Sequence, residues 1–482
     1  MERVFDYGKL KDPQYFRDGR LDAHSDHRCY ASVLDMEAGY EAFKESLNGL
    51  WKFHYARNYK SAVRGFESTD YCCKDWDDIQ VPAHIQMEGY DVPQYANVQY
   101  PWEGRDEIKP GEIPEYFNPV ASYVKYFEVP ERMKGRRLFV SFQGAESGLA
   151  LWLNGAFVGY SEDSFTPSEF ELTDYLVEGE NKLAAQVFKW TASSWCEDQD
   201  FYRFSGIYRD VYLYTVPDIH VRDLKICAIP DETLRKAAFD IRMEMLFGGE
   251  AQGKAVIRLA RDGSAVIEEE LELGGEVSHS WTVEEPALWS AEVPDLYDLA
   301  IEIYDAAGTL QEVIPEKVGF RRFEMKENIM TLNGRRIVFK GVNRHEFSCV
   351  SGRCVSEAEL RKDLETMKRN NINAIRTCHY PDASMIYRLC DEYGLYLIDE
   401  NNLESHGTWD EAMMTGDDSC VVPNDRPEWL DMMLDRVNST YQRDKNHPSI
   451  LIWSCGNESY GGKDIYEMSQ LFRKLDQNRL VH

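Results

Sequence analysis

At 482 residues, 43% of them hydrophobic, the chain is long enough for several domains with substantial cores. A formal net charge of -30 excludes binding to nucleic acid or an anionic membrane through bulk electrostatics, and suits an enzyme acting on a neutral substrate. Met1-Glu2-Arg3-Val4-Phe5-Asp6 has no apolar signal core, no apolar run reaches about 18 residues, and the eleven cysteines, an odd number without CxxC pairs, read as reduced thiols, so a cytoplasmic location is expected.

Residues 1–46 read as an N-terminal arm. From 47 to 215 short alternating runs such as Leu50-Trp51-Lys52-Phe53 and Val211-Tyr212-Leu213-Tyr214 are separated by turn signals. Asn154-Gly155, between Leu153 and Ala156, signals a type I′ hairpin. A jelly-roll-like β-sandwich is expected. Residues 216–325 form a second β block, charged at Arg258, Glu268, Glu269, Glu270 and Glu272, with the size and strand spacing of an immunoglobulin-like sandwich. A scaffold role suits it.

From 326 to 482 strand and helix alternate. Four apolar runs end in polar or imidazole-bearing residues. Residues 336–342 lead to Asn343-Arg344-His345-Glu346, and 372–378 lead to His379-Tyr380-Pro381. Tyr396-Leu397-Ile398 leads to Asp399-Glu400-Asn401-Asn402-Leu403-Glu404-Ser405-His406-Gly407, and Leu451-Ile452-Trp453-Ser454-Cys455 to Gly456-Asn457-Glu458-Ser459. Between them, Ser356 and Glu359 form a capping box ahead of Leu360, Leu364 and Met367 at helical spacing. A helix over 381–393 stops at Gly394, and two more are expected over 429–437 and 465–475. Chemistry gathered at C-terminal strand ends predicts a TIM barrel. Four β/α units make half of the eight that close one.

Glu458 ends the most apolar strand. A carboxylate delivered there into a cavity meets low dielectric, which favours its protonated form near neutral pH, so Glu458 is the first candidate for a general acid. Capping the next helix is the plain alternative. Glu404 and His406 stand two apart, and in an extended segment both point to one side. They could share a cation or simply hydrogen-bond to each other. Chemistry alone leaves manganese or zinc open, since imidazole is an unusual magnesium ligand. Histidines at strand ends are more often structural, but His345 and His379 fall on the catalytic end of a barrel.

Several ordered motifs together resemble the family 2 glycoside hydrolases, and within them the β-galactosidase branch. They are Val81-Pro82-Ala83-His84-Ile85-Gln86, Tyr95-Ala96-Asn97-Val98, Glu197-Asp198-Gln199-Asp200-Phe201-Tyr202-Arg203, Gly341-Val342-Asn343-Arg344-His345-Glu346, Glu404-Ser405-His406-Gly407 and Gly456-Asn457-Glu458-Ser459. The resemblance implies a sugar-binding, galactose-binding-like first sandwich and retaining hydrolysis of terminal β-galactose from β-galactosides such as lactose. It assigns Glu458 as acid/base and makes Glu404, His406 and Glu458 ligands of Mg2+. Asp200 is implied to hold Na+ and the sugar hydroxyls, and Asn97 and Asn457 to contact substrate. His379 would stabilise the distorted sugar, and His345 is a further active-site histidine. Trp152 and Trp195 could stack on sugar, but core packing suits each better.

A retaining glycosidase needs a second carboxylate about 5–5.5 Å from the first. In the family this nucleophile comes from a later barrel strand, and neither Glu346 nor Glu400 resembles it. The isolated chain is therefore expected to be inactive or nearly so, as a partial gene product or one half of a split enzyme. Association through the edges of the incomplete barrel is expected, with the full-length form a homo-oligomer. Two alternatives stand: a β-glucuronidase-like enzyme, which needs a cationic group for the sugar carboxylate, and an inactive carbohydrate-binding fragment.

Overall fold

The computed structural model describes residues 3–249 and 251–482. A seven-stranded antiparallel sheet runs in the order Arg17–Asp18, Ala156–Ser161, Gly148–Leu153, Glu180–Phe188, Val120–Glu128, Gly49–Ala56, Asp77–Val81. A four-stranded sheet of Ser168–Glu171, Leu138–Phe142, Val211–Thr215 and Lys44–Ser46 faces it. Trp51 and Phe53 point inward while Leu50 is exposed, and they join Tyr123, Phe142, Leu151 and Leu213 in the core. The opposite face of the large sheet is also covered: Phe5 and Leu10 of the N-terminal segment pack with Phe66, Trp152, Tyr160 and Phe188. That double cover is why all six residues of Gly148–Leu153 are buried; each large apolar side chain there contributes roughly 1.5–3 kcal/mol. Asn154 and Gly155 have φ of 52° and 90°, as a type I′ hairpin requires.

The second sandwich packs Ile219–Pro230, Lys236–Phe247 and Glu276–Glu284 against Ser264–Glu272, Gly253–Arg261, Tyr297–Asp305 and Leu310–Val318. Ala237, Phe239, Ile241, Met243 and Met245 alternate into its core. The acidic run Glu268–Glu270 belongs to an edge strand, where charge discourages further pairing.

A parallel sheet carries the rest, in the order Gly341–Arg344, Ala374–Thr377, Tyr396–Glu400, Ile450–Ser454, Leu480–Val481. It has five strands, not four, because Leu480–Val481 pairs with Ile452 and Trp453. The first strand also begins later than its apolar run suggests. Asn333-Gly334, both at positive φ, turn the chain so that Arg335–Arg336 pairs back on Ile329–Leu332. The capping box at Ser356 and Glu359 opens the helix Glu357–Arg369, and Gly394 at φ 74° closes Ser384–Tyr393. The helix Pro427–Asp444 runs well past residue 437, because Arg443 and Asp444 pair with each other inside the core and so bury polar residues that break the apolar period. No helix among the described residues is long and apolar enough to cross a membrane, and all eleven cysteines are free thiols. Trp152 and Trp195 are both buried in apolar clusters.

Candidate active site

The C-terminal ends of the parallel strands point toward one loop of the first sandwich. That loop follows the 3-10 turn Ala192–Cys196 and is built into the barrel by backbone bonds: Glu404 N–H donates to Cys196 O and Asp198 N–H to Glu404 O, each at 3.0 Å. Glu197 and Glu404 thus form a parallel β-bridge. Side chains reinforce it. Arg436 donates to Glu197 Oε1 at 2.8 Å and to Asn402 O at 2.7 Å, and Asn402 Nδ2 donates to Glu197 Oε1 at 2.7 Å. Asp200 therefore reaches the barrel end on an anchored loop.

Glu404, His406 and Glu458 each bring a donor atom within 4.8 Å of the others. His406 Nδ1 and Glu458 Oε2 are 2.7 Å apart, and Asn457 Nδ2 donates to Glu404 Oε2 at 3.1 Å. Glu404 Oε1 is buried without a hydrogen-bond partner. Burial pushes the Glu404 carboxyl up to about 8, with help from Asp198 and Glu458. An orphaned oxygen among carboxylates and an imidazole fits a divalent cation.

Two expectations for this cluster fail. Glu458 is not in low dielectric: its side chain is 50% exposed, because strand Ile450–Ser454 ends four residues earlier and the chain then swings outward. His406 does not lie in an extended segment either. It is the first residue of the helix His406–Thr415, so the turn into that helix, rather than strand alternation, brings it to Glu404.

His379 and His345 lie beside each other, with ring centroids 5.5 Å apart. His379 Nδ1 pairs with Glu400 Oε1 at 2.6 Å. Glu400 is fully buried and also receives Arg376 through two bonds of 2.7 and 2.9 Å and Ser454 Oγ at 2.6 Å. Burial alone would raise the Glu400 carboxyl, but the His379 hydrogen bond and Arg376 outweigh it and hold it below the usual carboxylate range. Arg376 continues to Asn457 Oδ1 at 2.9 Å, which links the His379 group to the Glu404 group. His345 stacks on Phe201 at 4.5 Å and shares a hydrogen bond of 3.1 Å with Tyr380. Burial, then the neighbouring His379, lowers the His345 imidazole to about 4, so it is neutral at ordinary pH.

Asp200 accepts a hydrogen bond from the Tyr95 hydroxyl. Strand Gln94–Ala96 pairs antiparallel with Phe201–Arg203, and the register sets exposed Asn97 next to Asp200. Asp200 belongs to none of the groups of three His, Cys, Asp or Glu donors able to share an ion among the described residues. The residues that sequence reasoning missed are Glu400, Arg376, Asn402, Gln199 and Tyr95. Glu400 had a visible signal, since it ends an apolar strand. Gln199, which donates to Asn402 Oδ1 at 2.9 Å, had none beyond its position in the acidic motif.

A barrel-type parallel sheet with polar strand ends, met by an anchored sandwich loop, places the candidate site between two domains. Residues 44–217, 219–321 and 323–482 match, in turn, the sugar binding domain, the central domain and the TIM barrel domain of glycosyl hydrolases family 2. The chain belongs to this family. It is 52% identical over 98% of its length to a protein of Halalkalibacterium halodurans named beta-galactosidase, of which it covers 47%. It is 43% identical to the beta-galactosidase large subunit of Leuconostoc lactis, of which it covers 77%. The chain spans about half the length of the first curated relatives it matches. A beta-glycosidase structure from Bacteroides vulgatus aligns at a TM-score of 0.71 and 25% identity, over 91% of this chain and 53% of that one.

Proposed function

We propose that the chain is the acid/base-bearing part of a retaining β-galactosidase. The observation that carries this is the single constellation at the barrel end: Glu458 against His406 at 2.7 Å, with Glu404, Asn457, Arg376, Glu400 and His379 linked in one chain of contacts. The names of relatives at 43–52% identity supply the galactoside. Glu458, exposed at the rim, can reach a glycosidic oxygen, protonate it as the aglycone leaves, and as carboxylate take a proton from incoming water. His379, oriented by Glu400, and neutral His345 face sugar hydroxyls. Asp200 and Asn97 grip others, since a carboxylate accepts from two adjacent hydroxyls.

Glu404, His406 and Glu458 would hold Mg2+, which would fix the position of the acid/base group and compensate the crowded negative charge there. Na+ at Asp200 is proposed on the family resemblance alone. The attacking carboxylate would come from the part of the relatives' length that this chain does not span, on the same polypeptide or on a partner subunit, as the large-subunit names suggest. Glu400 is engaged by three partners and Glu404 belongs to the cation cluster, so neither is free to attack. The glucuronidase alternative is less suited: Arg376 is tied to Glu400 and Arg353 to both oxygens of Glu146, so neither is free for a uronate. Reduced thiols and an acidic surface favour a cytoplasmic enzyme.

The test is hydrolysis of a chromogenic β-galactoside by this chain with Mg2+, alone and mixed with the remaining part of a relative's length. No turnover alone and Glu458-dependent turnover on mixing are expected. Turnover by the chain alone that Glu458→Gln abolishes would place the nucleophile within these residues and overturn the proposal's division of labour.

A further inference from the structure

Another donor cluster lies outside the proposed sugar site, where the N-terminal segment crosses between domains. Arg20 reaches Asp435 on the barrel side, Asp26 pairs with Arg388, and Ser25 N–H donates to Asp223 of the second sandwich. The segment then lies along strand Leu310–Val318: Tyr30 and Val313 exchange both backbone bonds, at 2.9 and 2.8 Å. Cys29 is thereby set above Glu312 of that strand and His220 of strand Ile219–Pro230. We propose that Cys29, His220 and Glu312 form a site for a thiophilic divalent ion of the zinc type, which pins the N-terminal segment to the second sandwich.

Donor atoms of the three residues already lie within 4.8 Å of one another. Zinc bonds of about 2.3 Å to sulfur and about 2.0–2.2 Å to nitrogen and oxygen set ligands roughly 3.3–3.6 Å apart around a tetrahedral ion, so small side-chain shifts suffice. Two of the donors are rigid and dry. Glu312 is 0% and His220 7% exposed; Glu312 Oε1 is fixed by the Val221 N–H at 2.7 Å, and Oε2 lies 2.8 Å from His220 Nδ1. This is not a solvated acidic patch. The third donor stands at the edge of the pair: Cys29 is a half-buried free thiol on the wall of a cavity of about 960 Å3, which gives an ion a way in and room for a water as fourth ligand.

The set of one thiolate, one imidazole and one carboxylate selects zinc over magnesium, which prefers oxygen. Binding sends the thiol proton to solvent, and the two anionic ligands then balance the ion's charge. The nearby Lys44 is engaged by Glu41 at 2.9 Å and does not oppose it freely.

Titration of the metal-free full chain with Co2+, in excess Mg2+, tests the site. One equivalent should give visible d–d bands of a tetrahedral ion and a near-ultraviolet thiolate-to-cobalt charge-transfer band, and Zn2+ should displace it and raise Tm. The Glu404, His406 and Glu458 cluster has no sulfur and cannot give the charge-transfer band. Cys29→Ser should remove the band, weaken binding by more than about 10–100-fold, and cancel the Tm rise, while Cys378→Ser should leave all three. The absence of the band in the native chain, its survival in Cys29→Ser, or its loss only in Cys378→Ser would overturn the proposal. The last result would move the ion to the His345, Cys378 and His379 group.

Discussion

Removing Arg436 should loosen the joint that carries Asp200. Arg436 and Glu197 face each other at 2.8 Å with side chains only 2% and 6% exposed. At that separation and an effective dielectric of about 20 their attraction is about 6 kcal/mol, most of it offsetting the cost of burying two ions. Arg436→Met leaves the Glu197 carboxyl, already raised by burial, with only Asn402 and the serines around it. It must stay charged unpaired or take up a proton, and a loss of up to about 3–5 kcal/mol is expected, smaller at low pH. Glu197→Gln should cost somewhat less, because the amide oxygen still accepts from Asn402. The double variant removes both charges and should cost at least about 1.5 kcal/mol less than the sum. Urea unfolding followed through far-ultraviolet circular dichroism of the native chain and each variant reads these differences. Amide exchange at residues 196–200 should accelerate in each single variant and recover partly in the double. Additive effects within about 0.5 kcal/mol would show that the backbone bridge alone holds the loop, and the ionic account would fail.

Glu400→Gln should lower kcat/KM of the complete enzyme by about 10–100-fold, because His379 loses its orienting carboxylate, and should also cost stability, because Arg376 loses its charged partner; an unchanged pH–rate profile would deny Glu400 that positioning role. Glu404→Gln should weaken Mg2+ by at least about 10-fold in calorimetric titration, and undiminished affinity would exclude Glu404 as a ligand. His345 binds its proton only near pH 4 when folded, whereas the unfolded chain takes it near pH 6.5, so its share of stability falls as pH drops through that window. With partial exposure discounted this is about 1–2 kcal/mol. Denaturation at pH 7 and 4.5 should show a smaller acid loss in His345→Gln than in the native chain; equal losses would refute the shifted titration.

The elements most legible in the sequence were those whose burial follows one period. Lys236–Phe247 alternates as far as Met245, Ser356 and Glu359 announce their helix, and Asn154-Gly155 announces its hairpin. Where a segment is covered on both faces, as Gly148–Leu153 is, period vanishes and only the apolar run remains. The helix His406–Thr415 went unread because it opens on a Gly407 and exposes Met413 and Met414, which gives no apolar stripe. At the site, the sequence marked which residues end strands but not how far past the strand each stands. Glu458 was therefore expected to be buried, while Glu400, which is buried, had no expected role. Pairwise partners such as Gln199 and Asn402, two hundred residues apart, leave no local trace.

The joint between sandwich and barrel is specified by charge more than it is strengthened by it. Besides Arg436 with Glu197, Arg209 meets Glu346 at 2.7 Å and Arg353 meets Glu146 at 2.8 Å, all with little exposure. Each such pair adds little net stability, because the attraction chiefly offsets lost hydration, yet breaking one leaves an unpaired buried ion. Three pairs spread over the interface therefore penalise every docking but one. Apolar packing could slide by a residue at modest cost; carboxylates that must each find a particular guanidinium cannot. Two of the pairs cross from the sandwich to the strand end of Glu346 and the loop of Arg353, and the third fixes the loop of Asp200. The position of Asp200 relative to Glu404 and His379 is thus set by ion pairs and backbone bonds between sandwich and barrel, so the first sandwich is built into the framework of the proposed site.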